Sequence, residues 1–156
     1  MLQNFKQLVD NFSPSSRVWY YLADRNFDGT ESDYIQSKID EFVSLHWKSH
    51  GAKLNATGIL LHSQLIALSV DENSLGASGC SIDSSVKFIK ELGAELKVDF
   101  FNRMYVLISN GIETQRVHIS DLSIYKDWNL LNPIVTTIKD IQEKGVILVS
   151  ESELVS

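Results

Sequence analysis

Two apolar runs in the middle of the chain constrain the fold more than any other feature. Residues 54–61 and 65–70 are rich in aliphatic side chains, and only His62-Ser63-Gln64 separates them. Runs of this length with so short a polar connection are typical of a β-hairpin. We therefore expect an antiparallel pair of strands here, on which the other elements pack.

The segments on either side of this hairpin alternate between helix and strand. Helical spacing of apolar side chains predicts helices over residues 2–12, 30–50, 81–96 and 133–144. Aromatic and β-branched runs predict strands over residues 17–23, 98–109 and 112–119, with a last strand or extended tail at 146–149. The order after residue 16 is therefore β-α-β-β-α-β with a further strand and helix, which is the ferredoxin-like order.

We predict an α+β fold in two layers, with an antiparallel ferredoxin-like sheet, an extra strand and a C-terminal helix. Another two-layer α+β arrangement or a mixed sheet is the alternative. A chain of 156 residues fits a single domain over 1–156, made of an N-terminal helix (2–12), an α+β core (17–119) and a C-terminal helix and tail (120–156).

Local signals suggest where these elements begin and end. Thr30 and Ser81 are candidate N-caps, and Gly51 is placed to end the helix that Thr30 begins. Asn132-Pro133 predicts the start of the last helix, and Asn110-Gly111 predicts a two-residue hairpin turn.

Charge and cysteine content restrict the partners and the compartment. The chain carries 14 Lys and Arg against 20 Asp and Glu, a net charge of −6. Without a dense cationic face, binding to nucleic acid or to an anionic membrane is disfavoured. One cysteine cannot form an internal disulfide, and the first residues lack the features of a signal peptide, so we expect a cytoplasmic protein.

The segment Ser78-Gly79-Cys80-Ser81 holds that cysteine at the expected start of a helix. Free backbone N–H groups and the helix dipole stabilise a thiolate there, and Gly79 lets a ligand approach the backbone closely. Asp83 disfavours both a thiolate and a bound anion at this helix start, because its own carboxylate compensates the helix dipole and repels a second negative charge. The alternative is a structural one, in which Cys80 is a small buried filler behind the cap Ser81.

A nucleophilic thiol also needs a base, and His50 is the best candidate. Asp71 or Asp83 could orient that imidazole. The structural alternative is that His50 is partly buried and caps the end of its helix. His46 and His50 have the i, i+4 spacing of paired zinc ligands, but Trp47 stands where a zinc protease has glutamate, so we expect no metal.

The loop before the Cys80 helix and the aromatic residues of the first strand restrict the function further. The loop 76–81 lacks the Gly-Lys-Ser/Thr ending of a P-loop, which excludes a P-loop ATPase, and no cofactor is expected.

Trp19 and Tyr21 point opposite to Tyr20 along one strand, so each face carries aromatic side chains. We expect these rings to pack in the core, with an exposed partner surface as the alternative.

Four segments together resemble a small bacterial protein family that is often labelled "ABC transporter ATPase". They are residues 47–51 (WKSHG), 70–72 (VDE), 78–85 (SGCSIDSS) and Arg103, and the resemblance covers roughly residues 17–110. It implies no ATPase activity, because the chain lacks a P-loop and a Walker B aspartate, and it transfers no catalytic role. It singles out a set of shared polar positions, which are His50, Asp71, Glu72, Cys80, Asp83 and Arg103.

Two functional hypotheses follow. The first is a non-enzymatic module, with homodimerisation as an option, that binds a small ligand or a protein partner at the Cys80 helix start. Its ligand-binding residues would be Ser78, Gly79, Ser81, Asp71, Glu72 and Arg103. The alternative is a thiol-dependent enzyme for acyl or thioester transfer, with Cys80 as nucleophile, His50 as base and Asp83 as a further catalytic residue.

Overall fold

The computed structural model describes residues 1–73 and 76–155, which form an α+β fold with antiparallel sheets. In its first half lie α1 (Gln3–Leu8), β1 (Val18–Leu22), α2 (Gly29–Glu41), a π-helical turn (Phe42–His46), β2 (Lys48–Ser49), β3 (Ala52–Lys53), β4 (Ala56–Leu61) and β5 (Leu65–Val70). In its second half lie α3 (Gly79–Leu96), β6 (Tyr105–Ser109), β7 (Thr114–His118), β8 (Asn129–Leu131), α4 (Ile138–Lys144) and β9 (Val146–Leu148). Short 3-10 helices lie at Ile119–Tyr125 and Val149–Glu151.

The predicted central hairpin is confirmed as β4 and β5, and Leu61 lies opposite Leu65 at its turn. β5 is the middle strand of a three-stranded antiparallel sheet in the order β1-β5-β4. Every side chain of β5 is buried, because both faces of this first sheet are covered. Alternate residues of a strand face opposite sides, so one strand contributes to two cores.

The ferredoxin-like order is not shown. β1, β5 and β4 are arranged as the first three strands of that fold would be, but the fourth strand does not join them. β6 instead belongs to a second antiparallel sheet in the order β7-β6-β8-β9. Its two edges are hydrogen-bonded to β7 and β8, so it has no edge left to pair with β1.

Two cores lie on opposite faces of the first sheet. On one face α2 and α3 bury Ile35, Ile39 and Ile89 against β5. On the other face α1, α4 and part of the second sheet bury a further cluster around Phe5 and Leu107. The predicted two-layer arrangement is therefore wrong in this respect, because it leaves out the cover on the second face.

The side chain of Gln36 lies along the outer edge of β4. Its Oε1 accepts a hydrogen bond from the backbone N–H of Leu60 at 2.9 Å, and its Nε2 donates to the carbonyl of Gly58 at 3.3 Å. At the other edge of the sheet, the N–H of Val18 donates to the carbonyl of Thr136 at 2.9 Å. Each outer edge thus has backbone groups that are already paired.

The helix expected over 30–50 is much shorter, and it begins at a different cap. Asp28, not Thr30, is the N-cap, because the N–H of Glu31 donates to Asp28 Oδ1 at 2.7 Å and Glu31 bonds back to the Asp28 N–H. The α-helix ends at Glu41 and a π-helical turn follows. The remaining residues to Gly51 are not helical.

Other helices and strands also begin or end at residues different from those predicted, at positions where helix capping or strand pairing is better satisfied. α4 begins at Ile138 and not after Asn132-Pro133, since Thr137 and Asp140 form a capping box. The N–H of Thr136 donates to Asp140 and lowers the pKa of that carboxyl. The α1 helix and β6 are shorter than expected. The hairpin at Asn110-Gly111 is confirmed, but its predicted two-residue loop is wrong, because Ser109 pairs with Thr114 and residues 110–113 connect the two strands. The expected last strand is confirmed as β9.

In the described part of the chain, none of the helices combines the length and the apolar character needed to cross a membrane.

Gly58 provides a test of the packing between α2 and the first sheet. A Cβ at this position would lie 2.6 Å from Ile39 Cγ2 and 2.6 Å from Leu68 Cδ2, and both of these side chains are fully buried. We expect Gly58→Ala to lower the free energy of unfolding by about 1–3 kcal/mol, measured by urea denaturation.

Gly29→Ala is the matched control for this substitution. Nothing lies within 4 Å of a Cβ at Gly29, which occupies the first position of α2, so this variant is expected to be as stable as the wild type or slightly more stable. Equal stability of the two variants would contradict the packing described here.

Candidate functional site

The candidate site is built on Trp47, whose side chain is fully buried. Its indole Nε1 donates a hydrogen bond to the carbonyl oxygen of Ser81 at 2.8 Å. Its ring packs on Phe42 and Trp19, with ring centroids 5.2 Å and 5.7 Å away. These contacts fix the segment that follows α2 against the first turn of α3.

The face of α3 that receives Trp47 carries small side chains. Ser81 and Ser85 are its buried residues at this end, whereas Ile82 and Val86, which helical spacing favours as core residues, are only half-buried. A large ring beside the first turns of a helix requires small neighbours. The apolar spacing of α3 predicts the buried face only further along, at Ile89 and Leu92.

His50 does not lie on a helix. The π-helical turn closes with a hydrogen bond from the N–H of Trp47 to the carbonyl of Phe42, and the chain then forms the β2–β3 hairpin. His50 and Gly51 are its two loop residues, with φ of 51° and 79°. Positive φ at both loop residues is what a type I′ turn requires, and the turn leaves His50 exposed.

Two predictions about this segment are therefore wrong. Gly51 does not end a helix. It is the second loop residue of the β2–β3 hairpin, where the turn requires its positive φ. His46 and His50 are not i, i+4 neighbours on one helical face, because the hairpin separates them. Over the described residues, no group of three or more His, Cys, Asp or Glu side chains is arranged to hold a metal ion.

The N-cap of α3 is Ser78 and not Ser81. The N–H of Ser81 donates to Ser78 Oγ at 3.2 Å, and the N–H of Ser78 donates to Ser81 Oγ at 2.6 Å. The helix therefore begins at Gly79, earlier than predicted. Cys80 lies in the first turn and is exposed, so its interpretation as a buried filler is wrong.

The His50 turn and the start of α3 face each other across a surface groove of about 520 Å³, which we call the Cys80 groove. One side is lined by His46, Lys48, His50 and Gly51, and the other by Ser78, Gly79, Cys80 and Ser84. The structure thus brings Cys80 and His50 to one groove. Among the described residues that line it, none is acidic.

Asp71 lies outside this groove and has a structural position. Its Oδ1 accepts from the N–H of Ser13 at 3.1 Å, and its Oδ2 accepts from Asn55 Nδ2 at 3.3 Å. The carboxylate thereby joins the loop before β1 to the segment before β4. It does not orient His50.

Glu72 is paired with Arg17, which sequence reasoning missed. Arg17 Nη2 lies 2.7 Å from Glu72 Oε1 and also donates to the carbonyl of Ala77 at 2.8 Å. The guanidinium therefore fixes the chain next to the Ser78 cap. No spacing or motif marks Arg17 in the sequence, because its partners lie more than fifty residues away.

The two remaining predicted residues are also outside the Cys80 groove. Asp83 is exposed on α3. Arg103 is exposed and lines a different cavity, between β1 and β6, together with Tyr20. Burial raises the pKa of Tyr21, and the positive charge of Arg103 acts on it in the opposite direction.

The aromatic residues of β1 are packed, as expected, on both faces of the sheet. Trp19 and Tyr21 belong to the core under α2 and α3, and Tyr20 packs against the other core. β1 is therefore not an exposed aromatic surface.

A scan against protein-family models and searches of the curated proteins and of the solved structures gave no match. The functional argument therefore depends on the geometry of the Cys80 groove.

Trp47→Phe tests whether the indole holds the His50 turn on α3. It removes the hydrogen bond to Ser81 and part of a buried ring, so we expect the free energy of unfolding to fall by about 1–3 kcal/mol. We also expect amide hydrogen exchange of residues 48–53 to become faster, as measured by mass spectrometry.

Trp128→Phe is the control, since Trp128 packs against Tyr125 in a separate cluster. It should leave exchange of residues 48–53 unchanged. If both variants change that exchange equally, the indole has no special role in holding the turn.

Proposed function

We propose that this protein is a binding module that holds a small anionic molecule in the Cys80 groove. The observation that carries the proposal is the charge of the lining. Lys48 and the N-terminus of α3 face the groove, and no described lining residue is acidic. Free N–H groups at the start of an 18-residue helix, together with a nearby ammonium group, favour a carboxylate or a phosphate.

The position of Asp83 removes the main objection to an anion. With α3 beginning at Gly79, the first turn contains no acidic residue, and Asp83 falls beyond it. The dipole effect is largest within the first turn, so Asp83 compensates it less than the sequence suggests. Glu41 lies 3.6 Å from His46 and would offset a positive charge there, which leaves Lys48 as the main cationic group.

The resemblance to the bacterial family labelled "ABC transporter ATPase" is part of this proposal. Two of the segments that carry the resemblance, residues 47–51 and 78–85, supply most of the groove lining. A shared groove would explain the similarity of these two short segments, whereas the third segment, residues 70–72, lies outside the lining. Residence in the cytoplasm belongs to the same proposal, because an exposed single thiol suits a reducing compartment.

Lys48→Gln tests the anion site. Inorganic phosphate and succinate are the probes, titrated at constant ionic strength and followed by the melting temperature and by the backbone amide signals of residues 78–81. We expect saturable binding to the wild type and an affinity reduced on the order of three- to tenfold in the variant, because one partly screened charge is lost.

Lys53→Gln is the matched control. Lys53 pairs with Lys48 across the hairpin and is exposed like it, but it lies outside the groove lining. This variant should bind both anions as the wild type does. Equal losses in the two variants, or no saturable binding, would refute the anion site.

A thiol-dependent acyl transferase is the second candidate, favoured by one observation. Cys80 is exposed and lines the same groove as His50. In such an enzyme, the imidazole accepts the thiol proton, the sulfur attacks the acyl carbon, and the proton is returned to the leaving group. Asp71 is engaged elsewhere and Asp83 lies outside the groove, so neither predicted acid orients the base.

The reaction of Cys80 with iodoacetamide distinguishes the two candidates. For a binding module, we expect the rate at pH 7 to lie within about threefold of that of free cysteine, and His50→Gln to leave it unchanged. His62→Gln, which alters a second exposed histidine with positive φ, is the control. An acceleration of about tenfold or more that His50→Gln alone removes would favour the enzyme.

A further inference from the structure

The outer edge of β7 is an open edge of the second sheet. β7 is the first strand in the order β7-β6-β8-β9, so it pairs with β6 on one side only. The two strands lie opposite each other without a bulge, from Tyr105 and His118 at one end to Ser109 and Thr114 at the other. β7 has five residues, whereas β9 at the other edge of this sheet has three. β7 therefore offers the longer edge to an additional strand.

Two hydrogen bonds at the ends of the β6–β7 pair show how its backbone groups alternate. At one end the N–H of Ile119 donates to the carbonyl of Met104 at 2.9 Å. At the other end the N–H of Asn110 donates to the carbonyl of Glu113 at 3.2 Å. In an antiparallel pair, residues that bond to the neighbouring strand alternate with residues whose backbone groups face away from it. Both bonds agree with the one register of the pair and so give the same alternation along β7.

This alternation gives each backbone group of β7 a direction. Gln115 and Val117 bond to β6, whereas the N–H and C=O groups of Thr114, Arg116 and His118 point to the outer edge. No backbone hydrogen bond from the described part of the chain reaches these three residues at that edge. Each of them thus has a donor and an acceptor available to another strand.

The chain that follows β7 leads away from this edge. The 3-10 helix Ile119–Tyr125 buries Leu122 in the same cluster as Leu130 of β8. β8 lies on the far side of β6, so this helix crosses the sheet and does not return along the outside of β7. The edge is therefore left uncovered by the segment that is nearest to it in the sequence.

β7 also lacks most of the features by which natural proteins block an open edge. The strand contains no proline, lysine or bulge. An inward-pointing charge is another such feature, and Arg116 carries the only permanent charge of β7. Its Nη1 donates to the side-chain oxygen of Gln64, so the guanidinium group keeps a partner when a strand is added.

We propose that two copies of this chain pair through their β7 strands, antiparallel about a two-fold axis, so that their second sheets join into one. Full overlap of the five residues places Thr114 opposite the partner's His118 and Arg116 opposite the partner's Arg116. Every residue with outward backbone groups then faces another such residue, so all of these groups are paired. The like charges of the two Arg116 side chains oppose the pairing and lower its affinity.

A second copy fits this edge better than an extended peptide does. A peptide that adds to a strand edge gains its specificity from pockets that receive alternate side chains. Neither the Cys80 groove nor the cavity between β1 and β6 is lined by a residue of β7. The outward groups are, in contrast, complementary to themselves, because a two-fold axis at Arg116 brings each donor to an acceptor of the same edge in the partner.

The size of the contact sets the expected affinity. It joins five residues of each copy, and the full register places Ile112, which is 94% exposed in the single chain, beside Ser120 of the partner subunit. This contact is smaller than the about 800 Å² per partner of a standard interface, so it belongs with the weak and transient ones. We expect a dissociation constant on the order of 100 µM.

The inference does not depend on the proposed anion site, because β7 contributes no residue to the lining of the Cys80 groove. Lys48→Gln is therefore expected to dimerise as the wild type does. Failure of one proposal leaves the other unaffected.

The first test compares wild-type protein at about 50 µM and about 1 mM, by sedimentation equilibrium and by amide hydrogen exchange followed with NMR. We expect the average mass to rise towards that of a dimer. The amides of Thr114, Arg116 and His118 should exchange about threefold more slowly at the higher concentration, because fewer chains are then monomeric. The N–H of Leu148 faces the outer edge of β9 and should exchange equally at both concentrations.

Thr114→Lys tests the contact with a variant. The lysine lies opposite the partner's His118 and next to the partner's Arg116, so we expect dimerisation to weaken about tenfold or more. Leu148→Lys is the matched control, because it adds the same charge to the other edge of the sheet. It should stay within about twofold of the wild type.

A second substitution tests the register. His118→Asp keeps an acceptor for the N–H of Ser120, which now donates to His118 Nδ1. Combined with Thr114→Lys, it places opposite charges across both ends of the contact, and we expect affinity within about threefold of the wild type. Positions 114 and 118 of one chain are about 13 Å apart along the strand, so the new charges cannot pair within a copy.

Any of four results would overturn the inference. The wild type could remain monomeric at about 1 mM, which would leave a peptide as the occupant of the edge. Thr114→Lys and Leu148→Lys could weaken dimerisation equally, or the double variant could stay as weak as Thr114→Lys. Slower exchange at Leu148 and not at β7 would assign the contact to β9. If a variant does not fold, as its melting temperature would show, the exchange pattern of the wild type decides the question.

Discussion

The hydrogen bond from the Trp47 indole to the Ser81 carbonyl is the contact on which the arrangement of the candidate site depends. It joins the segment after α2 to the first turn of α3, although these residues are separated by 34 positions in the chain. Both partners are buried, so the hydrogen bond lies in a region of low dielectric constant, where it is stronger than in water. A substitution of Trp47 therefore disturbs both the segment after α2 and the first turn of α3. The groove is the solvent-exposed consequence of this buried contact.

The sequence predicts well those parts of the fold that local patterns determine. The hairpin of β4 and β5 and strand β1 are found where apolar and aromatic runs indicate them. The position of β6 could not be predicted in this way, because its pairing with β7 and β8 competes with pairing to β1. Which partner a strand chooses depends on long-range packing that no short pattern contains.

For the candidate site, the sequence identifies Cys80 and His50 for partly incorrect reasons. Helical spacing suggested that His50 lies on the buried stripe of a helix, whereas a tight turn carries it into solvent. Lys48 and Arg17 gain their positions from contacts between distant segments, so neither stands out in the sequence. Asp71, Glu72 and Arg103 are polar and conspicuous in the sequence, yet none of them lines the groove. Asp71 joins the loop before β1 to the segment before β4, Glu72 pairs with Arg17, and Arg103 lines a different cavity.

The side chain of Gln36 has a consequence for self-association. Gln36 pairs with the carbonyl of Gly58 and the N–H of Leu60, so it occupies one acceptor and one donor that an incoming strand would need at the edge of β4. The bond between Val18 and Thr136 restricts β1 in the same way at the start of that strand. Each edge of the first sheet therefore offers fewer unpaired backbone groups to a strand of a second copy.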